Sequence, residues 1–363
     1  MATATATTTA TVAPSLPATP PTVILQVSQS PDAMIENIHK FMLASISSPN
    51  VALEELASYY ALRPSKKMRP RLILLIAMAS GVKDPDPLND TPCYIRGAHI
   101  QFASAIELVH MASLLHDDVL DQSDLRRGQE SAPKRFGMKQ SILAGDYILG
   151  KIMRISLDIG NSDVAGEIAS IISELVEGEI NQLSDIHGLG PSATNDMSLA
   201  SAWSSYLRTI HLKTAVLIAR AARCSVKLHP SALDSYKQDA YEFGRNLGIA
   251  FQLIDDLLDF TGDKSLGKPA NGNDLKEGII TAPILFGAEE NEEIRSLLLR
   301  RFFHPQDAER ALALLPSTSA FVRTENLARD YAKKARLSIS GWPHSPAKMA
   351  LEVLTNEIVK RKN

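Results

Sequence analysis

The stretch Val109-His110-Met111-Ala112-Ser113-Leu114-Leu115-His116-Asp117-Asp118-Val119-Leu120-Asp121 decides how the rest of this 363-residue chain is read. It is an apolar helical run that ends in three carboxylates. At about 100° per residue, Asp117 and Asp121 stack one turn apart on the same face. Carboxylates crowded at a helix C-terminus repel one another and gain nothing from the helix dipole, so something cationic must compensate. Hard oxygen ligands at this spacing suit Mg²⁺, which takes one or two carboxylates and leaves its other positions to water and phosphate. Alone, the cluster would equally fit a solvated acidic helix end. The residues that follow, Asp124-Leu125-Arg126-Arg127-Gly128, argue for a diphosphate site, because arginine offers a planar fork that grips phosphate oxygens.

The same arrangement returns downstream in Phe251-Gln252-Leu253-Ile254-Asp255-Asp256-Leu257-Leu258-Asp259. Asp255 and Asp259 again share a face, and a loop with Lys264 and Lys268 follows. Two triads of identical spacing, each closing an apolar helix and each followed by basic residues, predict two similar helices facing one another. Between and around them apolar residues recur at three- and four-residue steps, and alternating strand-like runs are scarce. Gly and Pro cluster at 81–92, 188–198, 262–278 and 317–319, where loops are expected. Aromatic residues are only 6% of the chain, which suits close helix-on-helix packing. The expectation is all-α: a single large helical bundle around a central apolar cavity, spanning 31–363.

Residues 1–30 read differently, as an Ala/Thr/Pro-rich leader or linker that can bury little. It carries no Arg, so it lacks the pattern of a mitochondrial transit peptide. The net charge of −3 leaves no basic footprint for nucleic acid. Cys93 and Cys224 form neither a zinc pattern nor a disulfide framework. The longest apolar run, Leu72 to Ala79, falls far short of the roughly 20 residues of a membrane span. These features favour a soluble, intracellular, cytoplasmic protein, with a mitochondrial setting as the alternative. Trp203 and Trp342 read as packing residues, and Lys360-Arg361-Lys362 as a frayed basic tail.

Taken together, the chain from about Ile35 onward resembles the trans-isoprenyl diphosphate synthases, in particular the long-chain type that makes quinone side chains in fungi and plants. The two triads resemble the family's two aspartate-rich motifs. Lys66-Lys67-Met68-Arg69-Pro70 is similar to its N-terminal basic motif, and Leu143-Ala144-Gly145-Asp146, Glu177-Gly178-Glu179 and Lys213-Thr214 sit where such enzymes carry them. The resemblance implies an isoprenoid-synthase fold and a metal set of Asp117, Asp118, Asp121, Asp255, Asp256 and Asp259 for two or three Mg²⁺. It places Arg126, Lys213 and Lys268 on an allylic diphosphate of C10 to C20, with Thr214 and Gln252 lining the site. Lys66, Arg69, His110 and Arg127 would bind isopentenyl diphosphate; His110 lies two turns before Asp117 on the same face. Two departures stand out. Pro64-Ser65 replaces the usual Gly-Gly before the basic motif, and the loop before Asp274 is one residue longer.

Head-to-tail elongation is the reaction implied, with walls dry enough to keep water from the allylic cation. Short-chain members block the space beneath the first Asp with aromatic residues, whereas here Ser113 and Ala112 are small and Leu108, Val109 and Ala105 follow below. An open tunnel and a product beyond C20, in the range C30 to C50, are therefore expected. The family is usually homodimeric, and a lipid product allows peripheral membrane contact at release. Three other readings share features. A class I terpene cyclase would replace the second triad by an Asn/Asp-x-x-Ser/Thr-x-x-x-Glu motif. A non-catalytic subunit of a heteromeric synthase would lose one triad. The prenyltransferase part of a fungal chimeric terpene synthase would fit the leader as a linker.

Overall fold

A computed structural model describes residues 31–81, 95, 97–186, 198–229, 232–262 and 272–360. The leader, Lys268 and most of the expected loops lie outside the described residues. Two N-terminal helices, α1 (Pro31–Ser45) and α2 (Val51–Ser58), precede α3 (Met68–Ala79) and α4 (Gly97–Leu120). A two-residue-per-strand hairpin, β1 (Leu125–Arg126) and β2 (Gln129–Glu130), leads through α5 (Ala132–Phe136) to the long helices α6 (Met138–Asp158) and α7 (Ser162–Ile186). Next come α8 (Leu199–Ile210), a π-helical turn (His211–Ala215), α9 (Val216–Lys227) and α10 (Asp234–Thr261). The chain ends with α11 (Asn273–Lys276), α12 (Ala282–Glu290), α13 (Glu292–Leu299), α14 (Asp307–Leu314), α15 (Ala320–Ser338) and α16 (Pro346–Val359). Apart from the hairpin, no strand is present among the described residues, and the all-α expectation holds.

Local chemistry starts and stops these helices. Asn50 and Ser131 accept from backbone N–H groups of the first turns of α2 and α5, and Ser198 forms a capping box with Ser201 at α8. Gly262, with φ of 75°, closes α10. In the hairpin, Arg127 (φ 54°) and Gly128 (φ 75°) both take left-handed backbone, as a tight two-residue turn between twisted strands requires.

Three apolar clusters hold the bundle. One joins α1, α2, α4, α6 and α7; a second joins α8, the end of α10 and α12 to α15; a third joins α3, the middle of α9, the start of α10 and α16. Residues Phe102 to Val109 are buried without a break, so this part of α4 is enclosed on every side and is apolar except at Ser104 and Glu107. Its counterpart, α10, packs between α9 and α15. Each of these two interior helices carries one triad at its C-terminal end. Trp203 meets Phe286 edge to face and donates to Glu289, and buried Trp342 donates to Asp239, so both serve packing.

Candidate active site

On α4, His110, Ser113, Leu114 and Asp117 form a half-exposed stripe with i, i+3, i+4 and i+7 spacing, while Leu108, Val109, Ala112 and Asp118 are buried. Asp117 is pushed up to about 7 by burial and by Glu179 on α7, against the pull of Lys213 and Arg126. Asp121 is raised as well, first by burial. Glu277, just past α11, is raised by burial and by the charges of Asp121 and Asp259. One carboxylate thus feels an aspartate from each triad.

The middle aspartates do something else. Asp118 has no exposed surface; Tyr60 donates to its Oδ2, and Arg126 Nε donates to Oδ1 at 2.6 Å. The Tyr60 hydroxyl also accepts from the Ala132 N–H at 2.8 Å, and burial with the Asp118 carboxylate keeps the phenol protonated. Asp256 repeats the pattern, accepting from Tyr206 at 2.6 Å and from Gln252 Nε2 at 2.8 Å. Asp118 and Asp256, both in the expected metal set, are thus buried and engaged by tyrosines that no local spacing flagged. Asp259 accepts from the N–H groups of Asn273 and Asp274, each at 3.1 Å, and so starts α11 while remaining half-exposed. Asp255 is half-exposed one turn before it.

The π-turn delivers Lys213 and Thr214. It is squeezed from two sides by glycines: a Cβ at Gly178 would lie 2.9 Å from the Lys213 nitrogen, and one at Gly248 would lie 2.6 Å from the Ala215 Cα. Such π-turns concentrate at functional sites. Lys213 is paired with Glu179 at 2.7 Å and donates to Gln182 at 2.8 Å, while Thr214 donates to Gln252 at 2.7 Å. In the Leu143–Asp146 stretch, Asp146 Oδ1 lies 3.6 Å from His116 Nε2, beside the triad.

A second, cationic group surrounds His110. Burial and the charges of Arg69, Arg127, Arg126 and Lys67 hold its imidazole well below the ordinary histidine value, so it is neutral. Arg63 ties the hairpin to the N-terminal segment: it donates to the carbonyls of Arg126 (3.1 Å) and Glu130 (2.6 Å) and lies over the rings of Tyr59 and Tyr60. Lys66 is exposed, whereas Arg69 is half-buried with its Nε unpartnered. Sequence reasoning missed Tyr60, Tyr206, Arg63 and Glu107; only Glu107, three residues before His110 on α4, had a spacing that pointed to it.

The positions expected to set chain length divide by burial. Ala105, Leu108, Val109 and Ala112 are at most 2% exposed and packed in the first core, and of the chain-length positions only Ser113 presents surface.

The carboxylates fit a hard divalent cation, since Asp117 and Asp121 are driven toward protonation without one. Among the described residues no three acids converge as a closed metal cage.

Acidic triads at the ends of two interior helices, with arginines and lysines near them, have the chemistry to hold a phosphate-bearing ligand through a divalent cation. The model of the polyprenyl synthetase family matches residues 50–315, and the chain belongs to that family. It is 36% identical over 343 residues to decaprenyl-diphosphate synthase subunit 1 of Schizosaccharomyces pombe, covering 90% of this chain and 89% of that one. It is 32% identical to the mitochondrial hexaprenyl pyrophosphate synthase of Saccharomyces cerevisiae, covering 93% and 90%. The crystal structure of a polyprenyl synthase from Caulobacter crescentus, complexed with calcium and isoprenyl diphosphate, superposes with a TM-score of 0.76 at 29% identity, over 93% of this chain and all of that one. The yeast relative's compartment agrees with the mitochondrial alternative and not with the cytoplasmic preference. No helix among the described residues is long and apolar enough to cross a membrane.

Proposed function

We propose that the protein condenses isopentenyl diphosphate head-to-tail onto an allylic diphosphate and releases an all-trans polyprenyl diphosphate longer than C20. The observation that carries this reading is an acidic triad closing each of two interior helices, with arginines and lysines around Asp117 and His110 on the first. Asp117, Asp121, Asp255 and Asp259 would hold Mg²⁺, which supplies positive charge to a leaving diphosphate. Arg126, fixed by Asp118, and Lys213, presented by the π-turn, orient the allylic diphosphate and neutralise charge on it as its C–O bond breaks. Arg69, Arg127 and Lys66 hold the second diphosphate, with neutral His110 as a hydrogen-bonding neighbour. The buried flanks of α4 exclude water from that space. The departing diphosphate is the proton acceptor that this arrangement leaves for the final step.

A second copy of the chain is the proposed partner. Ile142, Leu143, Met153 and Leu157 share one face of α6, and Val176 and Ile180 one face of α7, all 42–69% exposed. Sedimentation should report a dimer, and Leu157→Glu should yield a monomer.

The deciding assay mixes the protein, Mg²⁺, isopentenyl diphosphate and a C10 to C20 primer and sizes the product by chromatography. Products of C15 or C20 alone would defeat the long-chain reading. Binding of both diphosphates without incorporation would instead favour a subunit that needs a partner, a reading the S. pombe relative's name keeps in view.

A further inference from the structure

We propose that His116 is a positioning residue: its ring, seated in a notch that Gly145 leaves on α6, fixes the last turn of α4 so that Asp117 and Asp121 stand ready for a divalent cation. The proposal rests on the reading above that these two aspartates hold Mg²⁺. His116 Nε2 lies 3.3 Å from the backbone carbonyl of Ile142. A carbonyl only accepts, which assigns the proton to this nitrogen and makes it the donor. The acceptor belongs to the backbone of α6, so the contact ties the end of one long helix to the frame of another.

The notch is a second, independent observation. Gly145 is buried inside α6, where glycine weakens a helix relative to alanine and so calls for a reason. The ring supplies it: a Cβ at position 145 would overlap the His116 Nε2 and lie 2.7 Å from its Cδ2 and 2.9 Å from its Cε1. Gly150, farther along the same helix, has nothing within 4 Å of such a Cβ, so the close approach is particular to position 145. The neighbouring Asp146 carboxylate, 61% exposed, comes only to 3.6 Å of the same nitrogen, too far for a hydrogen bond. The hold is therefore on backbone.

What the hold does follows from where His116 stands. At about 100° per residue, His116 and Asp118 leave α4 about 200° apart, on nearly opposite sides, with Asp117 between them. Tyr60 and Arg126 hold Asp118 on its side, and α6 holds His116 on the other. The turn that carries Asp117 and leads to Asp121 is thus gripped from two directions. Like charges one turn apart push against each other, and a free helix end would yield to that push by fraying. Gripping the turn keeps both carboxylates in place for a cation, at no cost of ordering when it arrives.

The test uses the full chain and Mn²⁺ alone as the probe, its binding followed by electron paramagnetic resonance, with hydrogen exchange at 117–121 and the Tm measured beside it. Gly145→Ala expels the ring without opening a cavity. It should weaken Mn²⁺ binding about ten- to a hundredfold, the usual worth of a group that orients a metal ligand, and speed exchange at 117–121. Its Tm should not fall, because alanine is the better helix former. A merely structural histidine would give the reverse, a lower Tm with normal metal affinity. His116→Phe keeps the bulk and removes the donor, and should lose affinity likewise; His116→Gln, whose Nε2 can reach the same carbonyl, should recover most of it. Wild-type Mn²⁺ affinity in folded Gly145→Ala or His116→Phe, or no recovery in His116→Gln, would overturn the proposal. If His116→Phe does not fold, Gly145→Ala decides. Wild-type protein that binds no Mn²⁺ would defeat the metal reading of the triads itself, an outcome distinct from these.

Discussion

Replacing Asp118 by asparagine takes the charge from a fully buried carboxylate that Tyr60 and Arg126 share. The guanidinium then loses its counter-charge, and breaking a buried pair in this way costs about 3–5 kcal/mol. Asp121→Asn removes a carboxylate that burial already pushes toward protonation, so stability should stay level or rise while Mg²⁺-dependent turnover disappears. Urea unfolding of the two variants measures the contrast, and equal losses would sink the division into strut and ligand. The triads themselves were legible because their spacing is a property of the helix, contained within a few residues. Their tyrosine partners were not. Tyr60 precedes Asp118 by 58 positions and Tyr206 precedes Asp256 by 50, and only tertiary packing brings either pair together.

The π-turn shows how one element sets the position of another. A methyl group at Gly248 would press on backbone, at 2.6 Å from Ala215 Cα, with no flexible side chain to yield. Gly248→Ala should therefore cost about 1–3 kcal/mol and raise the allylic KM by shifting Lys213 and Thr214. A normal KM with the full stability loss would show that the turn does not carry the displacement. Farther along the same helices, Arg220, Arg223 and Lys227 on α9 converge on Glu167 of α7. Burial alone would raise this carboxyl, but the three hydrogen bonds prevail and hold it at about 2, below the ordinary 4.5. A group depressed in the folded state adds stability above its unfolded value and loses it as pH falls through the folded one. Glu167→Gln should thus cost about 3 kcal/mol near neutrality and much less near pH 2.5. Unfolding at both pH values checks this, and a pH-independent cost would assign the effect to packing. Helix existence was readable here from periodicity, whereas the π-turn was not, since it depends on two glycines from other helices.

At the scale of the molecule, product length is the property that the packing of α4 most changes. Sequence alone treated Ala112 and Ser113 as equivalent small residues beneath the triad. Their burial separates them: Ala112 is 1% exposed within the core, and Ser113 lies on the stripe with His110 and Asp117. Ala112→Phe should accordingly overpack and destabilise by about 1–3 kcal/mol. Ser113→Phe should leave the Tm close to wild type and shorten the product toward C15 or C20, as chromatography of the dephosphorylated alcohols would show. An unchanged product in Ser113→Phe would move the length control elsewhere. The hairpin has its own consequence for dissecting this protein. Arg126 owes its place to Tyr60 through Asp118, and its carbonyl is held by Arg63. A truncation that began the chain at Lys66 would keep every aspartate of the two triads and the basic residues around them, yet it would release the strap that aims them. The segment that follows α2 is thus no removable preface: catalysis in a trimmed chain should fail through a wandering arginine, and adding residues 31–65 back as a separate peptide should recover part of it.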